Sequence, residues 1–328
     1  MPADISTATV KPPQADLRQR LTRSLIDYGM VWALIVILIA ATIAYPGFFA
    51  IANLRNILGQ SAPVGIVAVG MTFVIIAGGL DFSVGAIFAL AAVLFAMTAD
   101  ALGLWGAAIA VILASLACGV VNGFVITRLK VSPFVATLGT GSVFGGLAYI
   151  VSNSAPQSPM NFGYDYLGIE RWFGIPVAGW IMVAVFVAGA FILARTSYGQ
   201  SIYAAGGNAE AARLSGIPVN LITASTYLIS AACAGFGGMI LSSRLGVGQA
   251  DMGGTVSLDS IAVVVIGGTS LLGGEGAMWR TAIGLATIAT LTNVFDSLAV
   301  STSYQLVIKG AIVVLAVAFD VFARSRRG

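Results

Sequence analysis

The sequence predicts an all-α polytopic membrane protein of about ten transmembrane helices, with both the N- and C-termini cytoplasmic. Three observations carry that prediction. Of 328 residues, 58% are hydrophobic and only 9% charged, against about 25% charged in an ordinary soluble domain. Mean hydropathy is +0.97, and apolar runs approaching the roughly 20 residues a bilayer crossing requires recur along the chain. The basic residues fall mainly on alternate connecting segments, as the positive-inside rule demands.

The first 27 residues are polar and carry Lys11, Arg18, Arg20 and Arg23. The apolar run that follows, 28–45, is longer than the core of a cleaved leader and reads as a retained first helix. Further spans are expected at 61–78, 84–99, 102–127, 132–153, 176–194, 221–243, 256–272, 277–295 and 303–322. With ten crossings and a cytoplasmic N-terminus, the inner segments hold Lys11, Arg18, Arg20, Arg23, Arg128, Lys130, Arg195, Arg213, Arg280, Arg324, Arg326 and Arg327. Arg55, Arg171, Arg244 and Lys309 fall outside. Nine or eleven crossings would send the basic C-terminal tail to the wrong side. The organisation expected is a cytoplasmic tail 1–27, one transmembrane domain 28–322 with a cytoplasmic segment 195–220, and a cytoplasmic tail 323–328.

Two outer pieces are polar. NLRNIL at 53–58 reads as an interfacial helix. The stretch 152–174, with Phe162, Tyr164 and Tyr166, reads as a solvated loop with aromatics at the membrane interface. The chain has 40 glycines, and GVVNG at 119–123 and GSVFG at 141–145 have the spacing that lets helices approach closely. Packing within one subunit is the expected use.

Composition also excludes chemistry. There is no histidine, which removes the commonest general base and transition-metal ligand. Cys118 and Cys233 lie in apolar runs and read as small packing residues. No catalytic residue, metal ligand or nucleic-acid-binding surface is expected, and no single span carries a pair of carboxylates for acid–base work.

Three stretches break the apolar pattern. The first runs Gly78, Gly79, Leu80, Asp81, Phe82, Ser83, Val84, Gly85. The glycines end one helix, and Asp81 is placed to cap the next by accepting backbone N–H bonds. The second, GGTSLLGGEG at 267–276, opens with Gly267 and Gly268. Its glycines at 267, 268 and 274 match the spacing of 78, 79 and 85, which suggests a distant internal repeat. Neither is a phosphate-binding loop, because no Gly-Lys-Ser/Thr tripeptide occurs. The third is YAAGGNAEAARLSGIPV at 203–219. Asn208 is an N-cap, Ala209, Glu210, Ala211, Ala212, Arg213 and Leu214 favour helix, and Gly216 with Pro218 ends it. Glu210 and Arg213 can pair at i,i+3. A helix of about two turns needs a neighbour to be stable; the alanines leave a face small enough for a groove, either among this protein's own helices or, the favoured reading, in a cytoplasmic partner.

Together these stretches resemble the permease subunits of bacterial ABC importers for ribose, galactofuranose, xylose and related simple sugars. The matching residues are GMTFVIIAGGLDFSVG at 70–85, GVVNGFVI at 119–126, SPFVATLGT at 132–140, YAAGGNAEAARLSGI at 203–217 and LDSIAVVVIGGTSLLGGEG at 258–276. They stand in family order across most of the chain. Ser257 stands where the family commonly has Glu.

The resemblance implies about ten helices per subunit, paired with a second permease subunit as a homo- or heterodimer in the bacterial inner membrane. It implies that the helix from Asn208 to Gly216 is a coupling helix seated in a cytoplasmic ABC ATPase, which holds ATP and Mg, this chain binding no cofactor itself. A periplasmic sugar-binding protein would deliver substrate. Phe73, Asn122, Thr137, Thr140 and Ser142, polar or aromatic groups on expected spans, are candidates for the substrate path. Gly78, Gly79, Asp81, Ser83, Gly85, Gly267 and Gly268 are expected as structural motif residues or as part of the path itself. The competing reading is an ion-coupled secondary transporter or channel working without an ATPase. Such coupling uses charged groups within the membrane, and Asp81, Asp296, Asp320 and Lys309 are the candidates.

Overall fold

The computed structural model describes residues 29–325, so residues 1–28, which include the expected tail 1–27, and residues 326–328 lie outside the described residues. The described chain is almost entirely helical. Helix α1 is Gly29–Ala44, α2 Ile51–Ile76, α3 Val84–Thr127, α4 Pro133–Val151, α5 Val177–Arg195, α6 Ser197–Gly207, α7 Ala209–Leu214, α8 Val219–Leu245, α9 Val256–Ile266, α10 Met278–Ser297 and α11 Thr302–Ser325. A 3-10 turn, Tyr164–Leu167, and a two-stranded hairpin, β1 Arg171–Trp172 with β2 Ile175–Pro176, fill the connection from α4 to α5.

Among the described residues five helices, α2, α3, α4, α5 and α8, are long and apolar enough to cross a membrane, and α1 and α9 are shorter apolar helices. The 44-residue α3 is broken at Gly103, whose φ of 68° and ψ of 173° are not helical. This backbone region is open essentially to glycine alone. The break divides α3 into two arms that match the expected spans at 84–99 and 102–127.

Helix α2 is the centre of the bundle, with every residue from 65 to 76 buried. It packs on α8, and α8 packs along α3. The α3–α8 contact needs small residues. A β-carbon on Gly119 would stand 2.9 Å from the Leu228 Cα, and one on Gly123 would stand 3.1 Å from the Ala224 Cβ. The GVVNG spacing is thus used inside one subunit, and Cys118 and Cys233 are buried packing residues. Outer helices keep apolar side chains exposed: Val135, Leu138 and Val143 on α4, Val187 and Phe191 on α5, Ile109 and Leu113 on α3. Such faces fit hydrocarbon rather than water.

Three expectations are corrected. NLRNIL is not a separate interfacial helix but the first part of α2. Asn53 is buried because it exchanges amide bonds with Asn293 of α10, at 3.0 and 2.9 Å, and donates to the Phe48 carbonyl. Polar residues that lower local hydropathy are here paired with each other. The span expected at 256–272 is helical only over Val256–Ile266, about 16 Å by helix rise against about 30 Å of hydrocarbon. Gly268 (φ 85°) stops it. The 152–174 loop is only partly solvated. Phe162 and Phe173 are exposed, whereas Tyr164 is buried, stacks on Phe95 at 4.9 Å and meets the Ser242 hydroxyl.

Candidate functional site

The polar breaks converge at one end of the bundle. Helix α2 closes on Gly78 (φ 83°), with Gly78 N donating to Ile75 O and Gly79 N to Val74 O. Helix α9 closes on Gly268 in the same way, with Gly268 N to Val265 O and Thr269 N to Val264 O. Both are paired 5→2 and 6→1 closures with glycine in the left-handed position. The correspondence is therefore Gly78 with Gly268, one residue away from the register that glycine spacing suggests.

After the first closure the chain turns inward around Asp81, which is fully buried. Its Oδ1 accepts from Ser83 N at 3.0 Å and from Ser83 Oγ at 2.6 Å. Its Oδ2 accepts from Ser230 Oγ of α8 at 2.8 Å. The expected capping by Asp81 is corrected: the N-cap of α3 is Ser83, with no side-chain cap bond, and Asp81 instead braces the turn before the helix through Ser83 N. The bond to Ser230, 149 residues away, was not legible. From Ser83 the network continues outward. Asn122 Nδ2 of α3 donates to Ser83 Oγ at 2.7 Å, and Thr140 Oγ1 of α4 donates to Asn122 Oδ1 at 2.6 Å.

The backbone of this turn is satisfied from two further helices. Thr137 Oγ1 of α4 accepts from Phe82 N at 3.1 Å. Ser257 Oγ of α9 accepts from Gly85 N at 3.0 Å and donates to Phe82 O at 2.9 Å. Ser257 therefore serves the turn as both donor and acceptor. Gly85 has no room for a side chain, since a β-carbon would stand 2.5 Å from Gly253 O. Asp81, Ser83, Asn122, Thr137 and Thr140 form one unit binding α3, α4, α8 and α9. Phe73 and Ser142 are not part of it: Phe73 is buried in an apolar cluster, and Ser142 is exposed on α4 and donates only to Leu138 O.

The second turn and the segment 195–220 close against the first. Gly274 N donates to Ile76 O at 2.8 Å. A β-carbon on Gly206 would overlap the same Ile76 O and stand 2.8 Å from Gly274 N. Tyr203 OH donates to Gly276 O at 2.9 Å, and burial raises the Tyr203 phenol's pKa while the Arg280 charge opposes this. So α6 meets both glycine turns backbone to backbone. Tyr203, Ser230, Ser257 and Arg280 were not singled out as site residues from sequence. Ser230 carries one available signal, a hydroxyl among the small and apolar residues of an expected span, and Ser257 another, its place where the family commonly has Glu.

Helix α7 forms as its residues indicate. Asn208 Oδ1 accepts from Ala211 N at 2.9 Å. Arg213 Nη2 and Nε donate to the two Glu210 oxygens at 2.6 and 3.1 Å. Gly216 ends the element with φ 85°. Only Ala212 is buried; Ala209, Glu210, Ala211, Arg213 and Leu214 are exposed, Leu214 at 77%. Beside α7 a groove of about 410 Å³ is lined by Thr127, Arg128, Arg213, Asn220 and the apolar residues Ile217 and Leu221, among others. No cluster of three or more metal-ligating side chains occurs among the described residues.

Residues 53–317 match the family described as branched-chain amino acid transport system / permease component. The ribose import permease protein RbsC of Bacillus subtilis is 40% identical over 301 residues, 89% of this chain and 92% of that protein. Its namesake in Haemophilus influenzae is 35% identical over 314 residues, 94% and 97% of the two chains. The L-arabinose transport system permease protein AraH of Escherichia coli is 34% identical over 295 residues, 90% of each. No solved structure matches.

Proposed function

The chain belongs to the permease-component family of the branched-chain amino acid transport type, and from that premise we propose that it is the membrane-spanning subunit of an ATP-driven importer of a simple sugar. The relatives favour sugar over amino acid: those named for ribose and arabinose align over about nine-tenths of the chain. The observation that carries the mechanism is α7. A six-residue helix with a formed N-cap and ion pair, and one buried residue, presents its surface outward. That is the expected state of a helix built to enter a partner, because so short a helix gains stability from its neighbours.

In this reading ATP and Mg reside on a separate cytoplasmic ABC ATPase. A periplasmic binding protein supplies the sugar, and two permease subunits form the path in the bacterial inner membrane. The reading takes ten crossings, with the two arms of α3 separate and the short α9 completed by its glycine turn, and so assigns both termini and α7 to the cytoplasmic side. ATP binding draws the ATPase pair together and moves α7. The backbone contact of α6 with both glycine turns passes that movement to the Asp81 network and so to α4. Thr140 and Ser142 of α4 are the path groups this arrangement supports best. Asn122 and Thr137 lie in the network behind Thr140, whereas Phe73 sits apart in an apolar cluster with Leu193 and Ile202 and is not carried forward as a path group.

The test is co-purification of the tagged chain from its native membrane, with mass spectrometry of what stays bound. The double variant Glu210→Arg with Arg213→Glu runs beside it. It keeps the ion pair while inverting the surface shown to a partner. The expected result is an ABC ATPase retained by the wild type and lost or weakened in the double variant. No ATPase under several mild detergents would overturn the reading.

A further inference from the structure

The groove beside α7 lies between the end of α3 and the start of α8. Its walls combine apolar Ile217, Pro218, Val219, Leu221 and Ala224 with the guanidinium groups of Arg128 and Arg213. At its margin Lys130 Nζ donates to Asn220 Oδ1 at 3.1 Å. Lys130 holds a left-handed backbone, φ 60°, a region a β-carbon disfavours. That turn directs the ammonium group across the gap from α3 to α8. Arg128 and Lys130 are exposed. Among the described residues Arg213 is paired with Glu210, and neither Arg128 nor Lys130 has an ion pair. Two cations at the groove therefore have no carboxylate, and the one local anion, Glu210, is already taken. The dipole of α8 adds positive potential and that of α3 subtracts it, so the side chains decide the sign.

We propose that this groove receives an acidic segment of the cytoplasmic ATPase, with carboxylates on Arg128 and Lys130 and an apolar side chain against Ile217 and Leu221. The inference rests on the importer reading and deepens it. Docking is then reciprocal: α7 enters the partner, and the partner enters the groove that α7 borders. Charge complementarity selects the occupant, since a neutral or basic segment leaves the two cations unpaired. Arg213 lies on both surfaces, which makes the two contacts one continuous interface.

The test uses the full chain co-purified with its ATPase from native membrane. Wild type is compared with Arg128→Glu/Lys130→Glu and with the charge-conserving Arg128→Lys/Lys130→Arg. Retained ATPase and bound phospholipid are measured on the same samples, at about 50 and about 300 mM salt. The expected result is retention about tenfold lower in the charge-reversed variant at low salt and near wild type in the conserving one. Wild-type retention also falls with salt, while the reversed variant loses that dependence. If the reversed variant retains as much ATPase as wild type, the groove is not a docking site and the inference is overturned. If it loses anionic phospholipid while keeping the ATPase, the groove is a lipid headgroup site, and the inference is again overturned. Wild type retaining no ATPase at all overturns the importer reading itself, a result distinct from either.

Discussion

Asp81 is a carboxylate buried without a cation among the described residues, held by three donors from Ser83 and Ser230. Asparagine would keep one oxygen for Ser83 and oblige only the Ser230 hydroxyl to turn. Asp81→Asn is therefore expected to cost about 1 kcal/mol, and Asp81→Leu, which leaves buried donors unpaired, about 3 kcal/mol or more. Melting in detergent checks both. Because Asp81 acts as a brace, Asp81→Asn is expected to retain ATP-driven uptake in proteoliposomes. Abolished uptake with the fold intact would favour ion coupling. The Asn53–Asn293 exchange makes a separate prediction. Either single alanine variant strands the other amide and costs about 1–3 kcal/mol. The double variant is expected to cost less than the sum, a coupling read from a double-mutant cycle.

At the scale of elements, the glycine closures and the break in α3 differ in kind. Gly206→Ala drives a β-carbon into Ile76 O and Gly274 N, backbone atoms that cannot swing away. A loss of about 3 kcal/mol and a sharp fall in folded yield are expected, read by size-exclusion of the detergent extract. A β-carbon added at Gly103 would meet nothing within 4 Å, so Gly103→Ala tests conformation alone. About 1–3 kcal/mol is expected from the backbone region it occupies. Helix α7 was fully legible, because Asn208, Glu210, Arg213 and Gly216 act on neighbours within four residues. Helix α9 was not. Gly267 and Gly268 open a stretch that breaks the apolar pattern, yet the expected span runs on to 272, past the left-handed Gly268 where the helix stops.

For the whole molecule, the distribution of Lys and Arg predicts that α7 and the 152–174 loop lie on opposite sides of the membrane. Cys118 and Cys233 are buried, so a background that leaves them in place reacts little with an impermeant maleimide. Ser215→Cys and Ser158→Cys, both at exposed positions, are expected to label from opposite sides in sealed vesicles. Labelling from the same side would mean that α5, the one long apolar helix between the two positions, does not cross.

Composition and local pattern determined the membrane class, the two arms of α3, the cap and ion pair of α7, and the closing of α2 on two glycines. Each depends on residues close in sequence or on the summed apolarity of a run. Only the tertiary structure decided that Asp81 reaches Ser230, that Ser257 satisfies the turn at Phe82 and Gly85, that Asn53 pairs with Asn293 240 residues away, and that Tyr164 turns inward. A helix apolar on every side carries no periodic mark of its inward face. Which polar groups meet inside the bundle is therefore settled by packing.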